Sequence, residues 1–242
     1  MRARLVRSAL LFGYALLVAK LFLAGEMVKY MTPALDPLTA LTGLVLAVMA
    51  VVELVGGAGG AGAGAPALER RLTDLLVLLP LVLGLAVTPR GLGSSAIGGE
   101  TVERLLLTYA PGAATPAGSA AAMPGRTVED VGDLLAYLRE VGEAGVGVRV
   151  RATGLVARGD ALAAGEFALL RFAIAHCVAD ARPLALLVAA GGAAAGLPPD
   201  QWVEVEGVVA ARERGGDRLV AIVADRVRPI EEPSNPYLSA AY

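Results

Sequence analysis

The chain reads as an α-helical membrane part followed by a mostly β, water-facing domain, and three features of the sequence lead there. Apolar runs over residues 5–24, 38–55 and 72–88 are each close to the ~20 residues a helix needs to cross a bilayer. No apolar run of that length follows residue 88. From residue 146 onward the apolar residues alternate with polar ones at a period of two, as on half-buried strands. Of the 242 residues 56% are hydrophobic, too many for an average soluble protein, and the excess sits in the N-terminal third.

Arg2, Arg4 and Arg7 precede the first run, and Arg70 and Arg71 precede the third, whereas the loop between runs one and two carries Glu26, Lys29 and Asp36. The positive-inside rule then puts the N-terminus and the second loop in the cytoplasm, and three crossings put everything beyond the third span outside it, although Arg90 lies on the opposing side of the count. Location in the cell (inner) membrane follows, with multiple spans and an extracytoplasmic C-terminal domain. The first run competes with a signal-peptide reading, since Met1 to Arg7 form a positive leader and Leu23-Ala24-Gly25 offers small residues, but it is long for such a segment and Lys20 interrupts it. Residues 56–66 are almost pure Gly and Ala and read as a flexible loop, and Pro80 should kink the third span. Lys20, Glu53 and Asp74 lie near span ends, where long side chains reach the interface.

Residues 91–126 are rich in Gly, Ala, Ser and Pro and read as an irregular linker, with a patch at 101–109 that suits either a strand or a helical turn. Thr127 then caps an amphipathic helix whose Val128, Val131, Leu134, Leu135, Leu138 and Val141 recur at helical spacing. Five strand-like runs follow, at 146–154, 166–178, 184–188, 201–212 and 219–228; Gly154 ends or bends the first, Gly207 interrupts the fourth, and Gly215-Gly216 turns into the fifth. Glycine breaks of this kind suit strands that bend to close a small barrel, and residues 127–232 are expected to form an amphipathic helix plus an OB-like five-stranded barrel, with 233–242 as a tail.

The only histidine and the only cysteine stand side by side as His176 and Cys177, with Asp180 three residues on. On a regular strand neighbours point to opposite faces, so the bland reading is a buried Cys177 and a His176 hydrogen-bonded to Asp180 across a turn. The functional reading is a metal or redox site in which imidazole and thiolate bind zinc or another transition metal such as copper, with a carboxylate completing or orienting the shell; a second copy or a partner would have to supply the remaining ligand. A Cys-His catalytic dyad is poorly served by adjacent strand positions, and the glycines at 56–64 lack the Lys and Ser/Thr of a phosphate loop. No enzyme activity is expected. Nucleic acid is not an expected partner either: the net charge is −2, and beyond Gly145 ten Arg are outnumbered by eleven Asp and Glu, with few aromatics to stack on bases.

The run LRFAIAHCVAD (170–180), WVEVEG (202–207) and PSNPY (233–237) resemble the YcgQ-like family of bacterial permease subunits, two-domain membrane proteins of poorly defined function. The resemblance implies a noncatalytic accessory subunit that docks in the bilayer on a larger permease, alone or as a homo-oligomer, with an extracytoplasmic OB-like domain that caps, gates or binds solute. It carries over to Arg171, Phe172, His176, Cys177, Asp180, Trp202, Gly207, Pro236 and Tyr237. Some relatives crowd the loop between spans two and three with His and Cys, where this chain has Gly and Ala. The alternative is a membrane-anchored metal-binding or redox protein using His176, Cys177 and Asp180.

Overall fold

A computed structural model describes residues 2–56, 67–97, 99–108, 146–160 and 162–239. The chain divides into two compact units, Met1–Arg90 and Gly91–Tyr242. The expected amphipathic helix beginning at Thr127 lies outside the described residues, as does most of the Gly/Ala loop.

Among the described residues the first unit holds three α-helices, α1 (Arg2–Leu23), α2 (Asp36–Val55) and α3 (Ala67–Ala86). Among the described residues two segments are long and apolar enough to cross a membrane, Arg4–Leu23 and Pro33–Val55. In α3 the apolar part is confined to Leu75–Ala86, about 18 Å of helix at 1.5 Å per residue, because Glu69, Arg70, Arg71 and Asp74 occupy its first turns. The third full span expected over 72–88 is therefore not established. The helix itself runs on through Pro80 to Ala86.

Small residues bring α1 and α3 together. A Cβ on Gly13 of α1 would lie 2.6 Å from Leu81, and one on Gly84 of α3 would lie 2.9 Å from Leu17, so each glycine seats a leucine tip of the other helix that a Cβ would push aside. Polar groups of α1 point inward. Ser8 Oγ donates to the Ala50 carbonyl at 2.8 Å and Tyr14 Oη to the Val77 carbonyl at 2.6 Å. Arg4 donates from Nε and Nη2 to the Glu53 carbonyl at the end of α2, and Lys20 Nζ reaches the Gly84 and Leu85 carbonyls at the end of α3. These are carbonyls that the last turn of a helix leaves without intrahelical donors, and a cation there also opposes the negative end of the helix dipole. The outward faces are apolar instead: among the described residues every exposed large hydrophobic side chain except Val146 belongs to this unit.

The first α-helix of the second unit is α4 (Gly99–Thr108), which falls on the patch at 101–109 that suited either a strand or a helical turn. Six strands follow among the described residues: β1 (Arg149–Ala157), β2 (Glu166–Ile174), β3 (Arg182–Ala189), β4 (Trp202–Arg214), β5 (Asp217–Pro229) and β6 (Tyr237–Ser239). Their order is β1-β4-β5-β3-β2-β6, and a further β1–β2 pairing closes five of them into a ring. The closure depends on β1 serving two neighbours, β4 along 149–155 and β2 along 155–157. Gly154 sits at this handover, where a Cβ would come within 2.8 Å of the Leu170 carbonyl oxygen, and β1 continues past it. At Gly207 the β4–β5 register shifts by one residue, and a Cβ there would fall 2.2 Å from the Val223 carbonyl oxygen; the glycine permits the bulge that bends the strand.

Two apolar clusters follow from the alternation. Val150, Ala152, Phe167, Leu169, Leu186, Val188, Val205 and Ile222 fill the ring, and Ala194, in a turn held by Arg158 hydrogen bonds to the Ala194 and Leu197 carbonyls, packs with them. Leu155, Leu170, Phe172, Ala185 and Leu187 face the other way and pack with Val102 and Leu106 of α4, Trp202 and Tyr237. β2 is thus buried on both faces, which explains its nearly unbroken apolar sequence. The segment read as a C-terminal tail supplies β6, which pairs parallel with β2, Phe172 opposite Tyr237 and Ile174 opposite Ser239. Its three residues are too few for an alternating pattern to be read from sequence.

Candidate functional site

The strand that carries the His-Cys pair ends at Ile174, two residues before it, so His176 and Cys177 sit in a bend leading to the short turn Val178–Asp180. Asp180 organises that bend. One carboxylate oxygen accepts the Ala175 N–H at 2.9 Å, and the other accepts the His176 and Cys177 N–H groups at 2.9 and 3.3 Å. The Cys177 side chain in return accepts the Asp180 N–H, a reciprocal cap of the kind Ser or Thr makes at a helix start. These hydrogen bonds, the Ala175 N–H foremost, hold the Asp180 carboxyl below its ordinary value of 3.8, while desolvation opposes them.

His176 Nδ1 lies 3.2 Å from the same carboxylate, and 75% of its side chain stays accessible. Cys177 is half-buried and its thiol is free. The expected hydrogen bond across a turn is present, and the three residues are together. Yet the Asp180 oxygens already serve backbone donors, and among the described residues no group of three or more His, Cys, Asp and Glu is arranged to hold a metal ion. The arrangement suits the fixing of a turn and the orienting of an exposed imidazole.

The other motif residues fall into four places. Arg171 is buried to 5% exposure, its guanidinium 5.0 Å from the Trp202 ring and its Nη1 3.1 Å from Thr153 Oγ1, where β1 parts from β2. Thr153 carried no sequence signal; its role appears only from the register. Phe172 is a core residue, Gly207 a bulge, and Tyr237, preceded by Pro236, opens the strand that edges β2. The Tyr237 hydroxyl accepts the Leu92 N–H at 3.1 Å, and burial pushes its pKa above the ordinary 10.0, with the Glu232 charge adding and the Leu92 hydrogen bond opposing. Leu92, which donates to Tyr237, and Asp200, which accepts the Ser94 N–H, also escaped sequence reasoning.

The outer face of β1, β4 and β5 is charged and paired. Arg149 meets Asp225 at 2.9 Å, Arg151 meets Glu206 at 2.8 Å, and Arg228 meets Glu204 at 2.9 Å. Phe167, Phe172, Trp202 and Tyr237 are all buried. Among the described residues of the barrel, then, no aromatic ring lies open for stacking.

Comparison with known proteins gives two family matches, the DUF1980 N-terminal domain over residues 6–103 and the DUF1980 C-terminal domain over residues 129–239. No curated protein matches the chain. Among solved structures, the small single-stranded DNA-binding protein from Streptomyces coelicolor is similar at 20% identity, covering 35% of this chain and 94% of that one, but its TM-score of 0.24 carries no argument. The two family models together span most of the chain, which belongs to the DUF1980 family and carries both of its domains, a membership with which the YcgQ-like motifs are consistent.

Proposed function

We propose that the protein is a noncatalytic membrane accessory subunit of a permease, with α1, α2 and α3 in the bilayer and an OB-like barrel on the extracytoplasmic side that caps, gates or binds solute. The observation that carries this reading is the inside-out helical unit. Its polar side chains bond to backbone carbonyls between helices while its apolar side chains face outward, the reverse of what water selects. The short apolar part of α3 fits a helix that leans on α1 and on a neighbouring protein better than one that spans lipid alone. The five-stranded ring supports an OB-like architecture. Its paired surface charges and buried aromatics favour a scaffold over a nucleic-acid site.

A photo-crosslinking residue at Leu44 or Leu76, both outward-facing, tests the docking. Stoichiometric attachment to one multi-span membrane protein in native membranes is expected. Adducts with lipid alone at both positions would end the accessory reading.

A further inference from the structure

Pro80 leaves a gap in the backbone of α3. Proline has no N–H, so the Leu76 carbonyl, four residues back, receives no intrahelical donor from position 80. The carbonyl next to it is served from outside the helix, by Tyr14 Oη of α1, which donates to the Val77 carbonyl at 2.6 Å. The same contacts fix the level of the gap. Tyr14 meets Val77 and Lys20 meets Gly84, so α1 and α3 run side by side in the same direction. Tyr14 lies midway along the apolar segment Arg4–Leu23, about 15 Å from its start at 1.5 Å per residue. In a bilayer whose hydrocarbon layer is ~30 Å thick, that is close to the midplane, where bulk water does not replace a missing donor. The direction of the gap follows from the helix period. Val77, Leu81 and Gly84 form the row that meets α1, with Leu81 buried. Leu76, Pro80 and Leu83 form the next row, about 100° around the helix, and it is exposed, Leu76 to 71%.

We propose that the Leu76 carbonyl is a docking acceptor on the outward face of α3, and that a hydroxyl or amide side chain on a membrane-spanning helix of the permease donates to it. The complementarity is one of donor and acceptor. Lipid tails carry no donors and headgroups lie far from the midplane, so a carbonyl at this depth is met by protein. Apolar side chains around it let a second helix approach, and in hydrocarbon a single hydrogen bond between helices selects the rotation at which they pack. Leu76 and Leu83 supply the apolar surround and Pro80 the acceptor, so the row singles out one side of α3 for a partner. This deepens the accessory-subunit reading and rests on it for the identity of the partner.

The test compares three full chains for the amount of the permease that co-purifies in mild detergent, the permease being the protein first identified by crosslinking from Leu44 of the wild type in native membranes. Pro80→Leu returns an N–H to position 80 and closes the gap from within, and capture is expected to fall about threefold, the size of one hydrogen bond between membrane helices. Placing the α-hydroxy acid analogue of leucine at position 80 keeps that side chain but puts an ester oxygen where the N–H would be, so the Leu76 carbonyl is open again without the proline ring; capture is expected to return to the wild-type amount. Equal capture by the wild type and Pro80→Leu overturns the proposal, since water or a local backbone bond then serves the carbonyl. A loss that the ester does not restore also overturns it and assigns the effect to the shape of the proline kink. Crosslinking from Leu44 to lipid alone ends the accessory reading itself, whereas either overturning result with that crosslink intact removes the acceptor and leaves the reading standing.

Discussion

The two units solve the same problem, where to put polar groups, in opposite ways. In the barrel unit, apolar side chains fill the ring and charges sit outside in pairs; in the helical unit, hydroxyls and cations turn inward to backbone carbonyls and leucines and valines turn out. A single chain thus carries two inverse patterns, each fitted to its own solvent. The lesson is that overall composition, with its hydrophobic excess, describes neither part.

The comparison breaks most visibly at the core of the ring. Phe167→Ala, at a fully buried position, is expected to cost about 3–5 kcal/mol and to lower the barrel's melting midpoint sharply, whereas Leu44→Ala on α2 should leave that midpoint where it was; circular dichroism melting of the full chain in detergent checks both. Gly207→Val ranks next. Its first side-chain atom would collide with the Val223 carbonyl, so a loss of about 2–3 kcal/mol is expected in the same measurement, with the β4–β5 hairpin exchanging its amides first. Arg4→Ala strips a donor from the Glu53 carbonyl and should weaken the α1–α2 pairing by about 1–2 kcal/mol, read as lowered resistance of the helical unit to denaturing detergent.

Acid sharpens the contrast more gently. The folded Asp180 carboxyl sits below its ordinary 3.8, so its contribution to the 175–180 turn is fully present above that value and fades as pH falls through the depressed one. The protection of the Ala175 and His176 amides, taken relative to the intrinsic exchange rate at each pH, should fall as pH drops through the depressed value while the strands stay protected, and Asp180→Ala should show the loosened turn at every pH. The smallest effect belongs to the surface pairs: Arg149→Ala, in an exposed ion pair, should change stability by no more than about 0.5 kcal/mol and less in high salt.

Much of this was legible because it depends on period and length. The apolar runs of α1 and α2 read through as long helices, and the glycine-broken strands announced a closed ring through Gly154 and Gly207. The rest depends on contacts between distant segments, which spacing does not encode. α3 looked like a span because its apolar run was counted outward from Leu72, yet its charged first turns leave only Leu75–Ala86 apolar. β6 is three residues long, and α4 lies on a patch too short for its period to decide between strand and helical turn. At the candidate site the His176–Asp180 contact could be inferred from the four-residue spacing, whereas the donation of three backbone N–H groups to Asp180 could not, because strand end and turn geometry decide it.

The cations on α1 bear finally on the order of assembly. Arg4 serves the last carbonyls of α2 and Lys20 those of α3, so the first helix made carries a donor for each helix made after it. In hydrocarbon, a carbonyl cluster without donors is costly, and a helix arriving beside α1 meets its donor already waiting. A chain lacking α1 would leave the Glu53 carbonyl of α2 and the Gly84 and Leu85 carbonyls of α3 without these donors, even though neither later helix had lost a single residue.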